Sequence, residues 1–307
     1  MKHIRIVSPS GAIEPQYIDT AAERLRGWGY RVSVAPHAYD VCGRFAGSDA
    51  ARAEDVIGSL TEADADIVLC SRGGYGLQRI VEPIARALAS AQGPLPLVVG
   101  FSDITVLHRL MARHGAASLH AVMCKHIATL PDDAEPLVQL RHALEGETLR
   151  YALPSHPLNR YPAEPVKGRL LGGNLSVLYG LQGTPLALPQ GRGEGRILLI
   201  EDIGERHYHI DRMMRNLRLS GALEGLSAML VGQFSDCDAD PKMVSSGDRA
   251  QSVYETILEA VADYDYPVLF DVPCGHVAHN LPFLLGGTAT LSYSEGRTLL
   301  SQEGLSR

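Results

Sequence analysis

Short apolar runs alternate with longer amphipathic stretches through the first half of the chain. The runs typical of strands lie at residues 4–7, 31–35, 67–70 and 95–100. The stretches with helical periodicity lie at residues 17–28, 49–60, 76–90 and 103–113. Strands that alternate with helices indicate βαβ units and a parallel sheet covered on both faces. We therefore predict a Rossmann-like or flavodoxin-like α/β domain over residues 1–147, with ligands beyond the carboxyl ends of its strands.

The pattern changes after about residue 147. Prolines crowd the next stretch, at Pro154, Pro157, Pro162 and Pro165, and proline lacks a backbone donor and restricts the residue before it. This predicts a connection between domains at residues 148–166. Beyond it we predict strands at 196–200, 227–231, 268–270, 288–291 and 298–301, and helices at 175–180, 209–219 and 253–262. The C-terminal domain, residues 167–307, is then mixed α/β with antiparallel, barrel-like character, closed by a hairpin turn at 294–297.

Composition and charge exclude several classes of protein. The chain has 307 residues, 45% of them hydrophobic and 21% charged, which fits two modest globular domains. Its formal charge is −7, and it has no basic stripe, so neither nucleic acid nor an anionic membrane surface is an expected partner. The N-terminal apolar run is interrupted at Ser8 and Pro9, and no stretch is long enough for a membrane helix.

The five cysteines indicate a reducing compartment. They are an odd number, widely scattered, and none forms a Cys-x-x-Cys pair. Such a set favours free thiols over a disulfide framework. We therefore expect a cytoplasmic protein.

Ser102 is the sharpest chemical signal in the sequence. It follows a fully apolar predicted strand, comes two residues after Gly100 and precedes a predicted helix. A strand-to-helix elbow exposes a nucleophilic hydroxyl, and the unpaired amides of the helix start can stabilise an oxyanion. The alternative is a structural one, in which Ser102 caps the helix and Asp103 adds a favourable charge to its first turn.

A glycine-rich segment, residues 71–76 (the glycine loop), follows the third predicted strand. Gly73 and Gly74 allow backbone amides to approach a ligand closely. One interpretation is a second oxyanion donor at Gly74. The alternatives are a phosphate cradle, although the spacing matches neither nucleotide-binding motif, and a simple tight turn.

Glu201 ends a run of four apolar residues, where a carboxylate is costly unless it is paired. A histidine held in its productive tautomer would provide such a partner. The alternatives are a surface strand end or an ion pair with Arg206 or Arg212. Glu205 is the rival for the same role.

His276 lies in a loop after another predicted strand and can act as a general base because its pKa lies near neutrality. The alternative is a structural histidine. A metal site is a further alternative, although the spacing is that of no familiar zinc motif. Its ligands would be Cys274, His276 and His279, with His207 or His209.

Three other residues need an interpretation. Asn174 precedes a predicted helix and suits a helix N-cap, or it reaches substrate in the cleft between the domains. Met213 and Met214 lie in an amphipathic helix and are interpreted as core or interface residues.

A series of short motifs runs through nearly the whole chain. In order they are Ser8-Pro9-Ser10-Gly11, Arg44-Phe45-Ala46-Gly47, Arg72-Gly73-Gly74-Tyr75-Gly76, Gly100-Phe101-Ser102-Asp103, Gly172-Gly173-Asn174-Leu175, Gly183-Thr184-Pro185, Leu199 to Glu205, Ile210-Asp211-Arg212, Gly275-His276 and Leu281-Pro282. Together they resemble the LD-carboxypeptidase family of serine peptidases. That family includes muramoyltetrapeptide carboxypeptidases and microcin C immunity peptidases.

The resemblance implies a Ser-His-Glu triad. The serine of Gly-x-Ser-Asp falls on Ser102, and the histidine of Gly-His falls on His276. The first glutamate of Glu-Asp-x-x-x-Glu falls on Glu201 rather than Glu205. No metal or cofactor is implied.

The resemblance also implies an oxyanion hole, a substrate and an assembly. The amides of Asp103 and Gly74 would bind the oxyanion, and Gly73 and Asn174 would contact substrate. Either Arg72 or Arg212 would hold the terminal carboxylate. The family consists of two-domain homodimers with the serine on the N-terminal domain, and its peptidases release the terminal D-alanine of L,D-linked murein tetrapeptides during wall recycling.

The chain departs from the family pattern in two places. Where relatives carry His-Gly-Pro-Met, this sequence has His120-Ala121-Val122-Met123. Where some relatives carry a tryptophan before the Gly-Gly-Asn motif, it has Leu171, and its one tryptophan is Trp28. The first departure affects substrate detail, and the second argues against an aromatic platform built on tryptophan.

Three functional hypotheses follow. The first is a serine carboxypeptidase acting on murein tetrapeptides. The second is a related serine hydrolase that cleaves aminoacyl-nucleotide amides, as in microcin C immunity. The third is a binding protein that uses the same cleft without catalysis.

Overall fold

The computed structural model describes residues 1–61, 64–191, 195–237 and 251–305. This part of the chain divides into two compact units. The first comprises Met1–Arg141 with Leu281–Leu284, and the second comprises His142–Asn280 with Leu285–Arg307.

Within the described ranges, the first unit is built on a six-stranded sheet. Its strands are β1 (His3–Val7), β2 (Arg31–Val34), β3 (Ile67–Cys70), β4 (Leu97–Gly100), β5 (Ser118–His120) and β11 (Phe283–Leu285). Their order is β11-β5-β4-β3-β1-β2, and the pairs from β5 to β2 are all parallel. The carboxyl ends of β3 and β4 therefore lie at the same edge of the sheet, which is where the glycine loop and Ser102 follow.

Six helices accompany this sheet along the described N-terminal part of the chain. They are α1 (Pro15–Gly27), α2 (Asp49–Thr61), α3 (Val81–Ser90), α4 (Thr105–Arg113), α5 (Cys124–Thr129) and α6 (Glu135–Glu145). Helix α1 shows why the pattern folds this way. Pro15 begins it, and Ile18, Ala21, Ala22 and Leu25 form its buried face at helical spacing.

The second unit contains a mixed sheet of seven described strands. These are β6 (Leu149–Leu153), β7 (Val166–Asn174), β8 (Arg196–Ile203), β9 (Leu226–Ser235), β10 (Val268–Leu269), β12 (Thr288–Ser294) and β13 (Arg297–Gln302). The order is β10-β9-β8-β7-β12-β13-β6. The pairs from β10 to β7 are parallel and those from β7 to β6 are antiparallel, so β7 joins two kinds of sheet.

The core of the second unit lies between the parallel strands and three helices of the described chain. These helices are α7 (Leu175–Gly180), α8 (His207–Leu219) and α9 (Val253–Ala260). Met213 and Met214 of α8 are buried there, as the sequence predicts. Helix α9 begins with a capping box between Ser252 and Glu255, which satisfies two amides that would otherwise lack partners.

The predicted fold class, a parallel α/β domain followed by a mixed α/β domain, is confirmed. The predicted hairpin is also present: Ser294 pairs with Arg297, and the turn residues Glu295 and Gly296 have φ of 51° and 75°. Positive φ at both central residues suits a type I′ turn, which matches the twist of the paired strands. The five cysteines all lie in described residues and carry free thiols.

Three of the differences between predicted and observed boundaries have consequences for the description of the fold. Residues 149–153, placed in the connection between domains, form β6 at the edge of the second sheet. The helix predicted at 76–90 is a short 3-10 turn followed by α3, because Pro83 lacks an amide proton and tolerates only the first turn of a helix. The helix predicted from residue 103 likewise begins as a 3-10 turn and becomes α4 at Thr105.

No helix in the described part of the chain is long and apolar enough to span a bilayer.

Candidate active site

The turn that carries Ser102 has an unusual backbone. Strand β4 ends at Gly100, Phe101 is extended, and Ser102 has a φ of 68°. A left-handed conformation costs a residue with a Cβ about 1–2 kcal/mol. Such strain clusters at functional sites, where it aims a side chain that regular structure would turn away.

The helix-cap interpretation of Ser102 does not hold. A capping residue has extended backbone angles and accepts a hydrogen bond from the first turn. The extended residue here is Phe101, and Ser102 is the first residue inside the 3-10 turn. Among the described residues, no side chain caps this turn or the start of α4. The Ser102 hydroxyl is therefore left for another role.

The glycine loop packs directly against Ser102. A Cβ at Gly73 would lie 2.8 Å from the Ser102 Cβ and 3.0 Å from the Phe101 carbonyl oxygen, closer than real contacts allow. The amide of Gly11 donates to the Gly73 carbonyl at 3.0 Å, and Gly74 has a φ of 102°. The structure thus brings together the two segments that the sequence singled out in this unit.

Two backbone amides, one directly after Ser102 and one directly after Gly73, remain available as hydrogen-bond donors. These are the amides of Gly74 and Asp103, and neither donates to another residue that the structure describes. The Asp103 side chain is buried and accepts hydrogen bonds from the Ser10 hydroxyl at 2.6 Å and the Leu77 amide at 2.9 Å. Burial raises the pKa of the Asp103 carboxyl above its ordinary value.

His108 supports the same turn, although no local pattern singled it out. It is buried on α4, with Nε2 2.9 Å from the Gly100 carbonyl oxygen and Nδ1 2.9 Å from the Ser118 hydroxyl. Because a carbonyl only accepts, Nε2 carries the proton and Nδ1 accepts from Ser118. Burial lowers the pKa of His108 to about 4, so a neutral imidazole fixes the strand end two residues before Ser102.

Substituting His108 with glutamine should weaken the acid sensitivity of the fold. In the unfolded chain His108 gains a proton near pH 6.5, and in the fold only near pH 4. The contribution of neutral His108 to the free energy of unfolding is fully present above pH 6.5 and is lost as the pH falls towards 4. The loss amounts to at most about 3 kcal/mol. Glutamine can make both hydrogen bonds without titrating.

Urea unfolding of wild type and His108→Gln at about pH 7 and about pH 4.5 measures this difference. The variant should lose less unfolding free energy between the two values. An identical loss in both proteins would show that His108 does not titrate as proposed.

In the second unit, Glu201 and His276 form a hydrogen-bonded pair. Glu201 Oε2 lies 2.8 Å from His276 Nδ1. The glutamate side chain is fully buried, whereas 17% of the histidine side chain is exposed. The bond to Nδ1 favours the tautomer in which Nε2 is the basic nitrogen.

The end of β8 explains how two successive carboxylates are buried. The pairing of β8 with β9 shifts register between Ile200 and Asp202, and such irregularities re-aim side chains at strand ends. Glu201 contacts His276, and Asp202 contacts the start of α7. Gly275 makes room for the pair, because a Cβ there would lie 3.1 Å from Glu201 Oε2.

Glu205, the rival acid, has a different histidine partner. Its Oε2 lies 3.0 Å from His209 Nδ1, one helical turn along the chain. Of the two glutamates, the geometry joins Glu201 and not Glu205 to His276.

Asn174 is the N-cap of α7, as one of its two interpretations predicts. Its Oδ1 accepts from the Val177 amide at 3.2 Å, and its Nδ2 donates to Asp202 Oδ1 at 2.9 Å. Burial, with the charge of Glu201, raises the pKa of Asp202 to about 7. Asp202 therefore contributes to pH dependence with the opposite sign to His108, since its stabilising share is lost as the pH rises.

The two candidate cations for a substrate carboxylate are both exposed. Arg72, in the glycine loop of the first unit, donates to the Ala12 carbonyl. Arg212, on α8 of the second unit, stacks over the Tyr208 ring with 5.3 Å between the guanidinium carbon and the ring centroid. Each retains donors that face solvent.

The histidines of the alternative metal site have other partners. His207 Nε2 lies 2.6 Å from the Thr256 hydroxyl, and His209 pairs with Glu205. Within the described ranges, no group of three or more His, Cys, Asp or Glu side chains is arranged to hold a metal ion.

Family models match both halves of the chain. The model of the LD-carboxypeptidase N-terminal domain matches residues 4–121, and that of the C-terminal domain matches residues 167–291. Together they cover most of the sequence.

Two relatives are similar along nearly their whole length. A putative carboxypeptidase of Streptomyces coelicolor is 34% identical, over 98% of this chain and 94% of its own. The murein tetrapeptide carboxypeptidase of Pseudomonas aeruginosa is 29% identical, over 94% and 92%.

Solved structures show the same architecture. The muramoyltetrapeptide carboxypeptidase of Oxalobacter formigenes superimposes with a TM-score of 0.81 at 26% identity, covering 98% of this chain and 99% of its own. The microcin C7 self-immunity protein in complex with aspartyl sulfamoyl adenosine gives a TM-score of 0.80 at 18% identity, covering 99% and 97%. The second likeness is one of fold alone.

Proposed function

Because the chain belongs to the LD-carboxypeptidase family of serine peptidases, we propose that it releases the terminal D-alanine of murein tetrapeptides by hydrolysing their L,D-peptide bond. The observation that carries the proposal is the hydrogen bond of 2.8 Å between the buried Glu201 and the partly exposed His276. A buried carboxylate that orients a histidine is the support a general base requires.

Ser102 is the nucleophile in the proposed mechanism. His276 Nε2 takes the hydroxyl proton while Ser102 Oγ attacks the carbonyl carbon of the scissile bond. The imidazolium, stabilised by Glu201, then protonates the leaving amine of D-alanine. A water molecule, activated by the same imidazole, hydrolyses the acyl-enzyme and restores the serine. The strained backbone of Ser102 supports its assignment.

The amides of Gly74 and Asp103 bind the oxyanion in this proposal. The Asp103 amide directly follows Ser102, and the Gly74 amide directly follows Gly73, which packs against Ser102. Neither amide donates elsewhere among the described residues. Each donor of this kind contributes about 10²–10³-fold to the rate.

The proposal extends to the substrate contacts and the cellular setting. Asn174 and Gly73 contact the peptide, and Arg72 or Arg212 binds its terminal carboxylate. The protein acts as a cytoplasmic homodimer in wall recycling, as the resemblance implies. The exposed guanidinium groups of the two arginines support the carboxylate contact, because arginine binds carboxylates in a planar, two-bonded geometry.

Cleavage of aminoacyl-nucleotide amides is less well supported. Leu171, which stands where some relatives have tryptophan, is buried in β7 and offers no ring to a nucleobase. Trp28 lies at the end of α1, in the other unit.

A paired assay tests the proposed function. The protein is incubated with murein tetrapeptide and, separately, with an aminoacyl sulfamoyl adenosine, while a fluorophosphonate probe reports on the serine. We expect D-alanine release and labelling of Ser102. Cleavage of the adenosine compound alone would replace the proposed substrate by the immunity type. No turnover and no labelling would leave only the binding-protein hypothesis.

A further inference from the structure

The peptide unit between Gly76 and Leu77 is held at both ends by buried charged residues. Arg52 of α2 is 1% exposed, and its Nη1 donates to the Gly76 carbonyl oxygen at 3.1 Å. The Leu77 amide donates to the Asp103 carboxylate at 2.9 Å. A cation and an anion thus fix the exit of the glycine loop.

The same two side chains hold a second segment, residues 8–11 (the N-terminal loop). Arg52 Nη1 also donates to the Pro9 carbonyl, and the Ser10 hydroxyl donates to Asp103 at 2.6 Å. The charged pair therefore contacts consecutive residues in each of two loops. We call Arg52 and Asp103 the loop clamp.

The N-terminal loop transmits this constraint to Gly74. The Gly11 amide donates to the Gly73 carbonyl oxygen at 3.0 Å. In a planar trans peptide the carbonyl and the following N–H point in opposite directions. Holding the Gly73 carbonyl towards Gly11 therefore aims the Gly74 amide away from Gly11, as an outward donor.

Burying Arg52 is costly, which argues for a purpose beyond packing. Its Nε has no hydrogen-bond partner among the described residues, although Nη2 pairs with Asp49 and the guanidinium lies 5.0 Å from the Phe45 ring centroid. A buried charge with an unsatisfied donor destabilises a fold unless it is compensated. Position 76 must be glycine to admit it, because a Cβ there would lie 2.9 Å from Arg52 Nη1.

We infer that Arg52 and the Asp103 carboxylate are positioning residues, which orient the Gly74 amide for the oxyanion through the N-terminal and glycine loops. The inference rests on the proposed function, in which that amide stabilises the transition state. A displaced donor weakens transition-state binding more than substrate binding, so its loss should lower kcat and leave KM nearly unchanged.

Arg52→Lys is the test variant, and Arg79→Lys is its matched control. The planar guanidinium of Arg52 bonds to two carbonyl groups and to Asp49 at the same time. Lysine keeps the positive charge but replaces this fork with a single compact ammonium, which cannot reproduce that geometry. Arg79 lies over the same Phe45 ring at 5.3 Å and pairs with the same Asp49. Its side chain is exposed and donates to no carbonyl of either loop among the described residues. Its backbone amide bonds to the Gly76 carbonyl, and the substitution leaves that bond in place.

Two readouts are measured on both variants. Kinetics with murein tetrapeptide should show a fall in kcat of about 10²-fold in Arg52→Lys with little change in KM, and near wild-type values in Arg79→Lys. Amide hydrogen exchange should accelerate in residues 9–11 and 73–77 of Arg52→Lys alone, because those segments lose their anchor.

The outcomes separate the inference from the proposed function. If wild type is active and the folded Arg52→Lys matches its control in kcat, the inference fails and the function stands. If wild type neither releases D-alanine nor reacts with fluorophosphonate, the function fails. Amide hydrogen exchange in the two loops then decides the inference. Faster exchange in Arg52→Lys than in Arg79→Lys supports the loop clamp, and equal exchange in the two variants overturns it.

A second variant covers the case in which Arg52→Lys does not fold. Ser10→Ala removes one hydroxyl and its bond to Asp103. Ser59→Ala removes a buried hydroxyl that donates to the Asp55 carbonyl and accepts from Arg5 Nε, so it does not contact the loop clamp. We expect kcat and loop exchange to change in Ser10→Ala and not in Ser59→Ala. Equal behaviour of the two would overturn the inference.

Discussion

Ser102→Ala should reduce kcat for D-alanine release by about 10⁶-fold, as removal of a serine nucleophile does in other triads. The substitution deletes the atom that forms the acyl-enzyme and leaves the oxyanion amides in place. The fold should be preserved, because alanine meets the same left-handed backbone strain that serine already meets at this position. Steady-state kinetics with murein tetrapeptide, together with a thermal melt, measure both effects.

The matched control is Ser90→Ala. Ser90 is an exposed serine of the same unit, at the end of α3. Its substitution should change neither turnover nor fluorophosphonate labelling. A folded Ser102→Ala protein that still turned over at the control's rate would exclude Ser102 as the nucleophile.

Glu201→Gln should lower kcat by about 10⁴-fold, with KM much less affected. The glutamine amide can present an N–H to His276 Nδ1, which would then accept a hydrogen bond and place the proton on Nε2. That tautomer cannot take the serine proton, and the neutral amide cannot stabilise the imidazolium. Since the substitution preserves shape and removes a buried charge, the free energy of unfolding should not decrease.

Glu205→Gln is the control for this prediction. Glu205 has the same side chain, lies four residues further along and pairs with His209 at 3.0 Å. Its substitution should leave kcat close to the wild-type value. If Glu205→Gln were the more damaging of the two, the carboxylate of the triad would have been assigned to the wrong residue.

The sequence predicts the sheets and the local chemistry well where the signal is short-range. The runs that become β3 and β4 are apolar at every position and are buried at every position. A glycine loop or a serine after such a strand is predicted to lie at the carboxyl edge, and both do. The pairing of Glu201 with His276 is different, because 75 residues separate them. No local pattern selects that partner; the family resemblance does.

Tertiary environment explains what the sequence does not reveal. Arg52 lies between two alanines in a predicted amphipathic helix, where an arginine is normally expected to face solvent. Its burial depends on carbonyl groups from Pro9 and Gly76, which lie far from it in sequence. His108 is likewise buried through hydrogen bonds to groups outside its own helix, at Gly100 and Ser118. Buried polar residues of this kind are identified by their hydrogen bonds and not by periodicity.

The left-handed backbone at Ser102 creates a trade-off between activity and thermostability at a single position. Glycine adopts a φ of 68° without the steric cost that a Cβ carries. A laboratory selection that rewarded heat resistance alone would therefore favour glycine there and eliminate the hydroxyl. Engineering of a more thermostable enzyme from this chain must retain a screen for turnover, because the glycine replacement that relieves this strain also removes the hydroxyl.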